Sequence, residues 1–478
     1  MKLKNDNLIK FDMQLPIFNW FYPLQYEDII DQPLEQKLAT YDTHDSSKVR
    51  SRAFYFHIPF CETICSFCPF IRGEFKDIEI IEQYTQALLR EIEWKARFKS
   101  LTEIPVRSIF FGGGTPSLLS PEQLLRIGRA IHKYYDLSQL EEFSFEMEVK
   151  SITREKLAAM KEIGVTHARF GLQTFNQKFR DLFNLTATVD QCREAVVMIR
   201  DYLPYTSFDI LYAMNGQTQE DFLMDLQQAV ALGTPTIDVY PIDHLATQIR
   251  LHRACEEAGL QPVSALQRFT QNILLNAYMR SAGYLPHNGH GYVKVSAEEL
   301  QKQPIVTDAY SFRYHEYVYG HDDGELIGFG VSAISSLNGF TITNTPSRDK
   351  YMRALLKNEL WDFTLSQHSR SADASRGVIL HLPYHGFVEK SRIDWQHVHP
   401  DTLEALGELI DAKLIVEKAD RYEITQTGWY WYVNLMYYLT PKHEQRLLNK
   451  FIAARLKEPG RKVEVSQITL NPALAARR

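Results

Sequence analysis

The stretch Cys61-Glu62-Thr63-Ile64-Cys65-Ser66-Phe67-Cys68 decides how the rest of the chain reads. Its three cysteines follow directly on the apolar, aromatic run Phe54-Tyr55-Phe56-His57-Ile58-Pro59-Phe60. That run reads as a strand, which puts the cysteines on the loop at its C-terminal end. Three thiolates so placed can converge on one soft metal centre. A structural zinc or an ordinary iron–sulfur cluster has four protein ligands, so a set of three leaves one metal position open to an outside ligand. A zinc site completed by a neighbour such as His57 is the competing reading of the same residues.

Outward from this loop, strand-like and helix-like stretches alternate. Ile81, Tyr84, Leu88 and Ile92 recur at helical spacing, as in a helix that covers a sheet. Residues 106–111 read as a second strand, ending in Gly112-Gly113-Gly114-Thr115-Pro116-Ser117. Ser120-Pro121-Glu122 then opens a helix, with Ser as its cap and Pro at its first position. Residues 143–149, 168–172, 208–212 and 236–240 read as four more strands with helices between them. The alternation predicts an α/β fold, a parallel sheet curved into a full or partial barrel whose site lies at the strands' C-terminal ends. Cys61, Gly112, Glu148 and Gln173 all fall at such ends.

Three regions are expected. Residues 1–50 form an N-terminal arm around the aromatic island Phe18-Asn19-Trp20-Phe21-Tyr22-Pro23, either packed on the main domain or acting as a flap over a flat substrate. Residues 51–345 hold the barrel and a substrate-side extension. Residues 346–478 hold a small α+β domain, winged-helix-like, with a basic tail from 442 onward. Its helix carries Leu403, Leu406, Leu409 and Ile410, a hairpin spans 413–424, and an aromatic helix spans 429–439.

Composition narrows the partners. The 478 residues are 45% hydrophobic and 23% charged with net charge −6, so no global basic field exists for nucleic acid. No run approaches the roughly 18 apolar residues of a membrane span. The start, Met1-Lys2-Leu3-Lys4-Asn5-Asp6, lacks the apolar core of a secretory signal. Five cysteines, three of them crowded together, are not a disulfide framework in a chain of this length, and a reducing cytoplasm fits best. Cys192 and Cys255, each alone in a helical stretch, read as buried apolar residues.

The other strand ends favour iron over zinc. Glycines 112–114 let backbone approach a ligand closely. Glu146 and Glu148 share one face of the third strand, where a carboxylate can accept hydrogen bonds from a ribose or an ammonium. Gln173 and Asp209 add polar groups at or near strand ends. The set suits a [4Fe-4S] cluster bound by Cys61, Cys65 and Cys68, with S-adenosylmethionine (SAM) on the fourth iron.

These residues also carry a resemblance. Tyr55-Phe56-His57-Ile58-Pro59-Phe60-Cys61, the CxxxCxxC spacing and Gly112-Gly113-Gly114-Thr115-Pro116 resemble the radical SAM superfamily, and within it the oxygen-independent coproporphyrinogen dehydrogenase branch. Phe170-Gly171-Leu172-Gln173-Thr174-Phe175-Asn176, Asp209-Ile210-Leu211-Tyr212 and Gly328-Phe329-Gly330-Val331-Ser332-Ala333-Ile334-Ser335 extend the likeness. The resemblance implies a partial (β/α)6 TIM-like barrel with Tyr55, Phe67, Gly112, Gly113, Gly114, Thr115, Gln173 and Asp209 lining a SAM site. It implies a strand-three glutamate there, Glu146 first and Glu148 second. It further implies a second SAM, with Ile334 near it or the substrate.

Two departures bear on the reaction. The coproporphyrinogen enzyme usually has a further cysteine where this chain has Phe70, and an arginine where it has Leu185. Either Arg180 or another base then meets a SAM carboxylate, or one SAM is held differently. Three functions follow from the resemblance. The first is C-methylation or methylene transfer (cyclopropanation) to an sp2 carbon of an aromatic or unsaturated substrate, with two SAM molecules. The second is tetrapyrrole chemistry, by coproporphyrinogen decarboxylation or haem methylation with ring opening. The third is a non-catalytic haem-binding chaperone, for which His287-Asn288-Gly289-His290 is the candidate ligand pair. A flavodoxin- or ferredoxin-type reductant, a small-molecule substrate and a monomeric state are expected.

Overall fold

Six strands carry the site, and each alternates between an apolar outer face and an inner face of mixed chemistry. They are β1 (Ser51–Ile58), β2 (Val106–Gly113), β3 (Glu142–Met147), β4 (His167–Gln173), β5 (Tyr205–Tyr212) and β6 (Thr236–Pro241). In the computed structural model of the chain, the described residues are 28–70, 73–74, 77–309 and 312–463, with Leu15, Ile17 and 22–24. Phe18, Trp20 and Phe21 of the aromatic island and residues 464–478 of the basic tail lie outside them.

The outer residues Phe54, Phe56, Ile109, Phe111, Phe143, Phe145, Ala168, Phe170, Phe208 and Ile210 enter one buried core with the covering helices. Removing this apolar surface from water is what drives the layers together. Helix Glu79–Lys95 buries Ile81, Tyr84, Leu88 and Ile92, the positions that recur in the sequence. Helix Pro121–Tyr134 begins with a complete capping box between Ser120 and Gln123, which satisfies two amide groups that no helical carbonyl can reach.

β1 to β6 are parallel neighbours in chain order. The sheet does not stop there. Strand Gly324–Phe329 pairs in parallel with β1 on its other side, and an antiparallel run of Ile334–Leu337, Phe340–Asn344 and Phe363–Gln367 continues outward. Strand Phe363–Gln367 lies beyond the 345/346 division expected from the sequence. Beyond β6, Gly291–Lys294 and Tyr284–Pro286 add an antiparallel hairpin. Among the described residues the two edges of this 13-stranded sheet do not pair, so the barrel is the partial form.

A buried carboxylate locks the extension to the barrel. Glu91 forms an ion pair with Lys95 at 2.8 Å and accepts from the Gly330 amide (2.7 Å), the Asn344 side chain (2.9 Å) and the Tyr351 hydroxyl (2.6 Å). Helix Glu79–Lys95 thereby holds the glycine-rich turn after Phe329. The C-terminal region builds a second core from helix Pro400–Asp411, hairpin strands Ile415–Glu417 and Arg421–Ile424, and the fully buried aromatic helix Tyr432–Leu439.

Candidate active site

The cysteine loop leaves β1 through Pro59 and is fixed by its backbone. Strand pair Phe60–Cys61 and Gly73–Glu74 closes its two ends. Its middle is clamped from two sides. Ser66 donates its amide to Phe183 O (3.1 Å) and its hydroxyl to Leu182 O (2.9 Å). From the other side, Gln248 donates to Cys65 O (3.3 Å) and Cys68 O (3.2 Å), and Arg250 donates to Ile64 O. Phe67 packs on Phe183, ring centroids 5.0 Å apart. Held this way, the course of the loop is set by backbone contacts on both of its sides. Among the described residues, no three His, Cys, Asp or Glu side chains are drawn around a single ion. A cluster with one thiolate per iron does not require that convergence.

Beside the loop, β2 runs on through glycines that nothing larger could replace. A Cβ on Gly114 would stand 2.5 Å from Phe60 O and 2.8 Å from Ile58 O, both backbone. Gly113 has φ +105° and lies against the His57 ring, so both its conformation and its space exclude a side chain. Gly114 and Thr115 donate their amides to Ile58 O and Phe60 O, which joins the glycine turn to the root of the cysteine loop.

The inner face next to this turn is charged. Gly113 donates its amide to Glu146 Oε2 at 3.2 Å. Burial pushes the Glu146 carboxyl up to about 7, partly opposed by Arg169 and by the Gly113 amide. Asp209 on β5 is also raised, first by burial and then by the neighbouring Asp238 and Glu146 carboxylates against the pull of Arg169. Arg169, on β4, pairs with Asp238 Oδ2 at 2.8 Å and stands 4.0 Å from Asp209 Oδ1, which is beyond hydrogen-bond reach. Gln173 closes β4 with φ +70° at a bulge, and its amide folds back over Gly171, where a Cβ would meet Gln173 Nε2. Such a backbone conformation is uncommon for glutamine and is tolerated where a site needs it.

Glu148 lies just past the end of β3. β3 ends at Met147, and Glu148 begins a 3-10 turn at 149–151, half-buried near Glu62 and with its amide bound to Ser117 Oγ. Ile334 opens its own strand, with backbone against Gly328 so close that a Cβ on Gly328 would lie 2.6 Å from Ile334 O. Leu185 packs into a small apolar cluster with Phe67, Phe179 and Phe183. Arg180 is consumed by backbone, donating to Leu172 O, Thr174 O and Ala187 O.

An aromatic and imidazole wall faces these groups. Tyr55 donates to or accepts from His57 Nδ1 at 2.9 Å and stacks on Phe110 and Tyr314, and Phe312 lies under the Arg169 guanidinium at 4.2 Å. His290 rests on Tyr240, centroids 3.9 Å apart, and hydrogen-bonds the Tyr384 hydroxyl, which also meets His315 Nδ1 at 2.9 Å. His287 and His290 are therefore buried in the wall, both held neutral by burial, rather than set in an exposed loop.

The residues present fit a [4Fe-4S] cluster with SAM. Three cysteines on one clamped loop supply the thiolates, and the glycine turn leaves room for a ligand. Buried Gln173 Oε1, Asp209 Oδ1 and Glu148 Oε2 have no hydrogen-bond partner among the described residues, as expected where a polar ligand completes the site. Sequence reasoning missed Arg169 and Asp238, although Arg169 lies on the face of Gln173 by simple strand parity. It had no means of finding Phe312, Tyr314 or Tyr384, which arrive from segments far along the chain.

Residues 55–229 match the profile described as Radical SAM superfamily. The chain is 26% identical to a haem chaperone, HemW, of Lactococcus lactis over 78% of this chain and 93% of that protein. It is 27% identical to an oxygen-independent coproporphyrinogen III oxidase of Pseudomonas aeruginosa, covering 78% and 80%, and 27% identical to an anaerobilin synthase of Escherichia coli O157:H7, covering 63% and 64%. Among solved structures, coproporphyrinogen III oxidase (HemN) from Escherichia coli, a radical SAM enzyme, superposes with TM-score 0.71 at 23% identity, over 88% of this chain and 96% of that one. That likeness is one of fold.

Proposed function

Residues 55–229 form a radical SAM domain, and on that premise we propose an enzyme that transfers a methyl or methylene group to an sp2 carbon of a flat, unsaturated substrate. Proteins of this superfamily use a [4Fe-4S] cluster and SAM. When bound, that pair supplies a 5′-deoxyadenosyl radical by one-electron cleavage of a sulfur–carbon bond. Cys61, Cys65 and Cys68 would hold the cluster, and Tyr55, Phe67, the glycine turn with Thr115, Glu146, Gln173 and Asp209 would orient SAM. Ile334 would border a second SAM or the substrate. The aromatic wall of Tyr55, Phe110, Tyr314 and Tyr240 would take a planar substrate and exclude water. A flavodoxin- or ferredoxin-type donor in a reducing cytoplasm completes the reading.

The radical SAM part of this reading is carried by the clamped three-cysteine loop, whose root is joined by backbone hydrogen bonds to the glycine turn, where Gly113 donates to the Glu146 carboxylate. The choice of methyl or methylene transfer is supported by the departures at Leu185 and Phe70. Tetrapyrrole chemistry is the second reading, favoured by the names of the coproporphyrinogen oxidase and the anaerobilin synthase and opposed by Leu185 and Phe70, while the name of the haem chaperone favours the non-catalytic reading. Anaerobic incubation of reduced, reconstituted protein with labelled SAM and either coproporphyrinogen III or haem tests the tetrapyrrole reading by product mass. Decarboxylated coproporphyrinogen or methylated, ring-opened haem would establish it, and finding neither product would leave methyl transfer to another flat substrate. Methylation adds a methyl group and yields S-adenosylhomocysteine, whereas decarboxylation loses carbon dioxide. Haem bound stoichiometrically without 5′-deoxyadenosine would instead support a chaperone. Cys65→Ala should lose both the iron of the cluster and SAM cleavage, and cleavage retained in that variant would sink the assignment.

A further inference from the structure

We propose that a cavity behind the C-terminal ends of β5 and β6 binds the carboxylate of a small organic acid, and that Arg268 is the group that holds it. The cavity lies apart from the face that carries Glu146 and Asp209, and the proposal stands without the radical SAM reading. Along β5 the period of two sets Tyr212 opposite to Asp209, and Tyr212 enters the core formed with the covering helices. Tyr212 and Pro241, the last residues of β5 and β6, form one wall of the cavity. Helix Ala265–Ser281 contributes Arg268 from its first turns. The start of helix Tyr432–Leu439 brings buried Tyr432 and the half-buried Tyr430 and Trp431 from the C-terminal region.

The arginine is what marks this cavity as a binding site. Arg268 is only 9% exposed, and its Nε is sealed from solvent with no acceptor among the described residues. The rest of its guanidinium makes no hydrogen bond or ion pair with a described residue either. A guanidinium keeps its charge and offers five donors, so burying it without acceptors costs free energy that a bound anion restores. None of the residues lining the cavity is acidic. The Asp243 carboxyl feels the Arg268 charge, but its Oδ1 is spent on the Leu245 and Ala246 amides, both at 3.0 Å. Burial raises the Tyr212 and Tyr432 phenols, so they stay neutral and supply no counter-charge. The cavity holds about 270 Å³, the solvent at its mouth included. Sites for drug-sized ligands take roughly 300–1,000 Å³, so this one suits neither SAM nor a tetrapyrrole. A planar guanidinium among aromatic rings instead fits a short-chain or single-ring carboxylic acid.

The test titrates the full chain, anaerobically reconstituted, as parent, R268K and R268M. The probes are benzoate, acetate, the neutral benzamide and inorganic phosphate, followed by isothermal titration calorimetry. Benzoate should bind the parent at one site per chain, and acetate should compete with it. Benzamide should bind about 10-fold more weakly or worse, and R268M should weaken benzoate roughly 10- to 100-fold, as loss of charge-assisted hydrogen bonds predicts. R268K should fall between parent and R268M. Melting without any acid separates a binding arginine from a structural one. Met fills the space of the arginine stem and removes the unpartnered charge, so R268M should melt at the parent's temperature or above it. A lower melting temperature in R268M, benzoate affinity unchanged in R268M, or a parent that binds neither acid overturns the assignment. Phosphate bound more tightly than both acids would overturn the choice of a carboxylate.

Discussion

At the scale of single residues, the site depends on atoms that are missing as much as on those present. Gly114 has no room for a methyl group, and the obstruction is backbone of Phe60 and Ile58 that cannot rotate away. Gly114→Ala should therefore displace the root of the cysteine loop, at a cost of about 1–3 kcal/mol in stability, and leave substoichiometric iron after reconstitution. Glu146 gives a pH prediction. Its folded carboxyl is raised to about 7, so between its ordinary value and about 7 the folded protein holds a proton that the unfolded chain has released. The ligand-free protein should thus lose stability as pH rises through that window. SAM brings cationic groups that favour the carboxylate, so SAM binding should release a proton below about pH 7 and tighten as pH rises toward it. Calorimetry in buffers of different ionisation enthalpy reads the proton directly, and Glu146→Gln should abolish that proton's release while keeping the Gly113 contact. Glu146 was legible from strand parity.

At the scale of elements, the cysteine loop owes its shape to neighbours rather than to its own sequence. Gln248, at the cap position of helix Ile249–Glu257, reaches two of its carbonyls. Helix nucleation places this side chain, and the loop takes its form against it. Gln248→Ala should leave the fold intact but shorten cluster survival under an iron chelator several-fold, followed by the decay of cluster absorbance; survival equal to the parent would remove Gln248 from this role. The helices themselves were readable, since spacing and caps are local: Ser120-Pro121 announced helix Pro121–Tyr134 before any contact was known. The parallel pairing of Gly324–Phe329 with β1 was not readable. That strand lies 273 residues along the chain from its partner, and nothing in its own pattern names the edge it will join.

At the scale of the whole molecule, the buried Glu91–Lys95 pair joins the helical layer to the extension. Glu91 accepts hydrogen bonds from three separate segments. Glu91→Gln would set an amide donor against those donors and strand Lys95, so we expect a loss of about 3–5 kcal/mol, measured by chemical denaturation. Glu91→Gln with Lys95→Met should recover part of it, because the second change removes the unpaired charge. An unchanged denaturation midpoint in Glu91→Gln would show that the extension is held by packing alone. No helix among the described residues is long and apolar enough to cross a membrane, in keeping with the composition.

By itself, the sequence determined the six-strand frame and the three-cysteine loop that follows its first strand. Both are written in short-range spacing: thiolates within one loop, a period of two in strands and of 3.6 in helices. Only the tertiary structure decided what faces the cysteines. Arg169 paired to Asp238, the roof of Phe312 and Tyr314, and the His290–Tyr384–His315 contacts join residues that are distant along the chain. Their meeting is set by how the sheet curves and how its edges extend, which no local pattern encodes.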